Sequence, residues 1–145
     1  MKANYAALVS MCDEYFGTLL DYIDKYDMWN DTTIILTTDH GFLLAEHEWW
    51  GKNRMPFFNE LSHIPLIIYH PDNKRKAGHR RQSLTQTIDL MPTLLDLFGV
   101  DKPRFVEGKS LLPLIEEEKM IREAAIYGMF GAGTNITAVS YTHLR

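Results

Sequence analysis

Residues 37–52 read TTDHGFLLAEHEWWGK, and four of their side chains could do chemistry. Asp39 and His40 set a carboxylate beside an imidazole. That pair offers one hard oxygen and one nitrogen donor, which suits Ca²⁺, Mg²⁺ or Mn²⁺ with further oxygens, or Zn²⁺ with further nitrogens. The plainer reading of the pair is an Asp–His cap on a following helix. Lys52 brings an ammonium that could hold one oxygen of an anionic ester and stabilise charge developing on a leaving group. A lysine taken alone is more simply a solvated surface residue. His47 reads either as a partner that orients a ligand or as a surface residue. Trp49 and Trp50 suit loop anchors, and a tryptophan at a pocket rim can also meet substrate.

These residues need a frame to bring them together. Thr33–Thr38 is a short β-branched run without polar alternation, as expected for a strand covered on both faces of a parallel sheet. Asp39 and His40 then fall just past its carboxyl end, where open α/β sheets bind their ligands. Gly41 would let the backbone turn there without a Cβ clash. Ile64–Pro71 repeats the strand signature, and Ala124–Phe130 is a third candidate.

Tyr5, Leu8, Val9, Cys12, Phe16, Leu19, Leu20 and Ile23 recur at the helical period, which predicts a long amphipathic helix over residues 4–26. Cys12 falls in it as a core thiol, and Gly17 suggests close approach of a neighbouring backbone. A second helix is predicted from Asp89 as N-cap, through Pro92 in the first turn, to Gly99 as the stop, with Leu90, Leu94, Leu95 and Phe98 on one face. Residues 108–119 read as a loop with a short helical turn. The order helix, strand, strand, helix, strand indicates a layered α/β fold.

Composition narrows the class. The chain has 145 residues, 46% hydrophobic and 23% charged, with a formal net charge of −4. Those values match an ordinary globular domain or part of one, and argue against disordered, coiled-coil and collagen-like chains. Basic residues gather only in Asn73–Arg81, which reads as a solvated loop; no nucleic-acid-binding motif accompanies it. No stretch approaches the ~20 apolar residues of a membrane span, so the expectation is a soluble, cytoplasmic protein with no membrane or nucleic-acid partner.

The stretch TTDHGFLLAEHEWWGKNRMPFFNELSHIPLIIYHP resembles the second half of the catalytic domain of bacterial sulfatases, in the alkaline phosphatase superfamily. The pattern extends to YAALVSMCDEYFGTLLDYI upstream and to TIDLMPTLLDLFGV and VEGKSLLPLI downstream. It covers residues 1–137 as an incomplete catalytic domain, and residues 138–145 do not continue it. The resemblance implies an α/β fold containing part of a mostly parallel sheet flanked by helices. It implies that Asp39 and His40 ligate a divalent cation, usually Ca²⁺, and that Lys52 contacts the sulfate group as a catalytic and substrate-binding residue. The substrate would be a sulfate ester, either a small molecule or a glycan.

The family's nucleophile is a formylglycine made from the Cys or Ser of a C/S-x-P-x-R motif, expected in the upstream half. No Ser or Cys in this chain has a proline two positions later, so the fragment supplies no nucleophile and is expected to be inactive alone. His63 stands where many relatives carry arginine and is not counted in the site. Two readings compete with the sulfatase. One is a phosphodiesterase, phosphonate monoester hydrolase or phosphoethanolamine transferase of the same superfamily. The other is a non-catalytic metal-binding module.

Overall fold

The apolar run at residues 33–38 folds as β1 (Ile34–Thr37), and its partner is the second apolar run, β4 (Leu66–Tyr69). The computed structural model describes residues 1–52, 58–128 and 136–140, and the chain divides into two compact units. Among the described residues no helix is long and apolar enough to cross a membrane.

The first unit comprises Met1–Arg54 and Asn59–Lys74. Helix α1 spans Lys2–Lys25, close to the predicted range. Tyr26 is its C-cap and the left-handed φ of 52° at Asp27 stops propagation, while Lys25 in the last turn complements the helix dipole. Trp29 fixes the exit: its indole N–H donates to Asp24 Oδ1 at 2.6 Å, its ring meets Tyr69 edge-on at 4.9 Å, and its carbonyl accepts the Tyr69 hydroxyl at 2.7 Å.

Three expectations for this unit are corrected. β1 and β4 pair antiparallel, with Ile34 opposite Tyr69 and Thr37 opposite Leu66. An unbroken apolar run reports burial and carries no information on strand direction, and antiparallel pairs occur within otherwise parallel α/β sheets. Cys12 is exposed, and of the helix only Ile23 is buried; the period is right, but the predicted face is covered only in part, with Phe16 and Leu20 half-buried and Tyr5 against Phe42 at 5.8 Å. Gly17 has open space where a Cβ would stand, so no backbone approaches it.

Between the two strands lie the hairpin of β2 (Leu43–Leu44) and β3 (Trp50–Gly51) and the short helix α2 (Asn59–Ser62). Leu43 and Leu61 are buried here. Each fully buried leucine contributes about 2 kcal/mol.

The second unit comprises Met55–Phe58 and Arg75–Arg145. It contains α3 (Leu90–Leu97), α4 (Leu112–Glu116) and the antiparallel pair β5 (Ala124–Gly128) with β6 (Ile136–Ser140). The predicted third strand is β5, and its last residue, Phe130, lies outside the described residues. Backbone from 138–140, beyond the family-like region, pairs with β5, with Ser140 opposite Ala124.

α3 ends as predicted. Gly99 has φ 63°, its N–H donates to Asp96 O and that of Val100 to Leu95 O, the two bonds of a Schellman cap. Its apolar stripe is unevenly covered. Phe98 is 81% and Leu94 42% exposed, while Pro92 and Thr93 are buried. The helix is turned by Asp89, whose carboxylate is completely buried. Asp89 Oδ2 accepts Gln86 N–H at 2.8 Å, and Oδ1 accepts Lys109 N–H at 2.9 Å and the Arg122 guanidinium. Asp89 thus holds the N-cap position of α3, as expected, but its carboxylate makes no cap bond to that helix and is instead the hub of a buried polar network.

On the surface of this unit, Glu118 clamps the strand of chain entering α3. Its carboxylate accepts the Ser83 hydroxyl at 2.6 Å and the N–H groups of Gln82 and Ser83, each at 3.0 Å. These bonds, the Ser83 hydroxyl foremost and the Gln82 N–H next, lower its pKa from the ordinary 4.5. A depressed carboxylate pKa stabilises the fold above the unfolded value, and the contribution disappears as pH falls through the folded value. The Gln82 and Ser83 amide resonances should therefore titrate together below pH 4.5, and Glu118→Gln should abolish that titration. Amide shifts that titrate unchanged in Glu118→Gln would refute the clamp.

Candidate functional site

Thr37 closes the β1–β4 ladder by donating its hydroxyl to Pro65 O at 2.8 Å. The next residues leave the ladder, so Asp39 and His40 lie just past the carboxyl end of β1, where the sequence places them. Asp39 folds back on its neighbours. Its Oδ1 accepts the His40 N–H at 2.9 Å and the Thr38 hydroxyl at 3.3 Å. The His40 backbone N–H is the main cause of a lowered Asp39 pKa, with the Thr38 hydroxyl adding to it. Oδ2 is left facing outward on a side chain that is 79% exposed.

His40 is oriented from behind. Its Nδ1 lies 3.0 Å from Gly41 O, a pure acceptor, and its Nε2 lies 2.8 Å from Lys52 Nζ, a pure donor. Only one protonation pattern satisfies both neighbours, with the proton on Nδ1 and a free lone pair on Nε2. Backbone anchoring of one ring nitrogen is the arrangement found behind metal-bound histidines. Nε2 also stands 3.2 Å from Asp39 Oδ2. In this tautomer the contact is lone pair against lone pair, so a cation must reconcile the two. In this structure the Lys52 ammonium meets the Nε2 side of the pair.

A divalent ion fits the same donors. Adjacent ligands of a six-coordinate cation with bonds of about 2.3 Å stand roughly 3.2 Å apart, which is the separation of Oδ2 and Nε2. Two donors are less than a complete shell, and among the described residues no group of three or more His, Cys, Asp or Glu is placed to hold a metal.

Gly41 matters for a different reason from the one expected. Its φ is not in the left-handed region. Instead its N–H donates to Leu61 O at 2.9 Å, and a Cβ would fall 1.7 Å from Glu60 O. The Asp39–His40 loop is thus laid directly on α2, which any larger residue would push away.

The hairpin brings back Lys52. Its tip holds three non-glycine residues at positive φ, Ala45 at 81°, His47 at 54° and Glu48 at 63°, which costs roughly 1 kcal/mol or more at each. The conformation is held by Ala45 N–H to Trp49 O at 2.9 Å, Trp49 N–H to Glu46 O at 3.0 Å, and the Leu44 N–H bonded to the Glu46 carboxylate. His47 Nε2 reaches Glu60 Oε1 at 3.2 Å and Oε2 at 3.3 Å. The sequence left His47 undecided and gave no sign of Glu60, since nothing in the sequence marks two residues on different elements as neighbours. Trp49 and Trp50 flank the tip, both partly exposed.

All three expected site residues, Asp39, His40 and Lys52, therefore converge within one unit. A family model described as Sulfatase matches residues 1–100. The chain belongs to the sulfatase family. It is 38% identical over 119 residues to the multifunctional alkaline phosphatase superfamily protein PehA of Trinickia caryophylli, covering 82% of this chain and 23% of that protein. It is 38% identical over 128 residues to the N-acetylglucosamine-6-O-sulfatase of Bacteroides thetaiotaomicron, covering 86% and 22%. Among solved structures, BT4656 in complex with its substrate D-glucosamine-2-N,6-O-disulfate matches with a TM-score of 0.79 at 33% identity, covering 88% of this chain and 27% of that one. This sulfatase chain thus spans about a quarter of the length of the relatives it matches, and its α/β fold is that of a sulfatase.

Proposed function

We propose that this chain forms one wall of the active site of a sulfuric ester hydrolase, with Asp39 and His40 as ligands of a divalent cation, Ca²⁺ by preference, and Lys52 as the residue that contacts the sulfate group. The observation that carries the reading is the convergence of Asp39 Oδ2, His40 Nε2 and Lys52 Nζ, with separations of 3.2 and 2.8 Å about the imidazole nitrogen.

When bound, the cation supplies positive charge that draws the ester oxygens and stabilises the charge developing on them. Asp39 contributes an oxygen held ionised by the His40 N–H. His40 contributes Nε2, aimed by Gly41 O at Nδ1. The ammonium and a divalent ion would compete for the same lone pair, so with an ion held by Asp39 and His40 the Lys52 ammonium would be available to donate to an oxygen of the sulfate ester. A charged donor there is worth most where charge grows in the transition state. The attacking group comes from outside these 145 residues and is, by family resemblance, a formylglycine. Substrates are sulfate esters of a sugar or glycan, a reading supported by the sugar-sulfate names of the relatives.

The test is Lys52→Ala in the full-length enzyme, assayed on an aryl sulfate and on a phosphodiester. Loss of one such donor should lower kcat/KM by about 10²–10³-fold, and Lys52→Arg should recover part of it. Undiminished turnover in Lys52→Ala would sink the assignment. A preference for the phosphodiester would favour the second reading, a phosphodiesterase or phosphonate monoester hydrolase, which the 38% identity to the multifunctional protein PehA keeps in view.

A further inference from the structure

Helix α2 touches both arms of the site. Its backbone receives Gly41 through the Leu61 carbonyl, which seats the Asp39–His40 loop, and its Glu60 carboxylate holds His47 at the tip of the hairpin that ends in Lys52. The hairpin itself is short, with two ladder pairs, Leu43 with Gly51 and Leu44 with Trp50. Its tip takes left-handed backbone at Ala45, His47 and Glu48, a conformation that these residue types do not favour by themselves. Contacts must impose it, and the His47–Glu60 pair refers the tip to α2.

We infer that His47 is a positioning residue for the reaction: through Glu60 it anchors the 45–48 tip to the helix that seats the metal-ligand loop, and so fixes where Lys52 Nζ stands relative to His40. The inference rests on the proposed role of Lys52. Both partners are half-exposed, 43% and 39%, and a pair in that setting contributes little to folding stability. Its effect lies in geometry. A displacement of about 1 Å at a group aligned on a reacting centre can cost on the order of 10²-fold in rate.

The experiment uses the full-length enzyme and an aryl sulfate. His47→Ala and Glu60→Ala are each expected to lower kcat/KM by about 10- to 100-fold, the double variant no more than either single one, with the melting temperature unchanged. His47→Gln, which keeps an N–H donor toward Glu60, should recover most of the activity. In a Lys52→Ala background, His47→Ala should cost nothing further, because the group it positions is gone. Three results would overturn the inference: full activity in His47→Ala, an additive loss on top of Lys52→Ala, or a loss of activity that follows a lowered melting temperature. If Lys52→Ala is itself fully active, the role of Lys52 fails and the positioning of it fails too. If Lys52→Ala is impaired while His47→Ala is not, only the role of His47 fails.

Discussion

Asp39→Ala in the full-length sulfatase should lower kcat/KM on a sulfate ester by about 10³-fold or more, and Ca²⁺ should bind at least about 10²-fold more weakly. The substitution removes a charge as well as an oxygen. Without it, His40 Nε2 is the remaining donor of this wall, and the Lys52 ammonium 2.8 Å away is bound to it instead. A neutral imidazole competing with an ammonium is a poor ligand for a hard cation. Asp39→Asn keeps an oxygen without the charge and should fall between wild type and alanine. Calorimetric Ca²⁺ titration beside steady-state assays checks both effects. The pH dependence follows from the same geometry. Because the His40 N–H holds the Asp39 pKa below its ordinary value, the carboxylate stays ionised further into acid than an ordinary aspartate, and loss of the Asp39 contribution to metal affinity should come only below the usual carboxylate range. Equal activity and equal Ca²⁺ binding in Asp39→Ala would remove the cation from this position.

The site was legible in the sequence to the extent that it lies on one chain end of one strand. An apolar β-branched run followed by an acid, an imidazole and a glycine places two donors at a strand terminus, and β1 puts them there. Lys52 could be associated with them by its chemistry and its place on a nearby loop, and more firmly through resemblance. Its return depends on a hairpin whose tip is left-handed at alanine, histidine and glutamate, residue types that signal no such conformation. For the same reason Glu60 carried no signal. Glycine showed the converse error: Gly17 drew attention because it interrupts a helix, whereas the position that needs the missing Cβ is Gly41, against Glu60 O. Close approach is a property of the partner backbone, and a sequence does not mark it.

Amphipathic periods gave the helices and misjudged one of their faces. In α3 the predicted stripe is split, with Leu90 and Leu95 half-buried and Leu94 and Phe98 exposed, and the fully buried positions are Pro92 and Thr93. Periodicity ranks faces by apolar content, so it is blind to an ion pair strong enough to orient the helix from its first turn. Asp89 looked like a cap because aspartate before an apolar period usually is one. It does stand at the N-cap of α3, but one of its oxygens closes the turn before the helix by accepting the Gln86 N–H, and the other is committed to Lys109 and Arg122 from far along the chain.

That commitment makes Arg122→Ala the largest expected loss of stability. The Arg122 side chain is 8% exposed and the Asp89 side chain not exposed at all. Arg122 donates through one nitrogen to Asp89 and through the other to Gln86 Oε1 at 2.9 Å, so a single planar group satisfies two buried acceptors. Truncation leaves a buried carboxylate with two backbone N–H partners and no countercharge, a change that costs about 3–5 kcal/mol in comparable settings. Arg122→Lys should lose most of that as well, because one ammonium cannot reproduce the fork that reaches both oxygens. Removing the charge along with its partner is gentler: the double variant Asp89→Asn with Arg122→Met should be less destabilised than Arg122→Ala alone, since no ionised group is then stranded. Urea unfolding of the full-length protein, followed by a probe in the second unit, distinguishes these cases. A cost below about 1 kcal/mol for Arg122→Ala would mean that the pair only accompanies the fold of α3, and that packing around Thr93 and Leu111 sets its orientation.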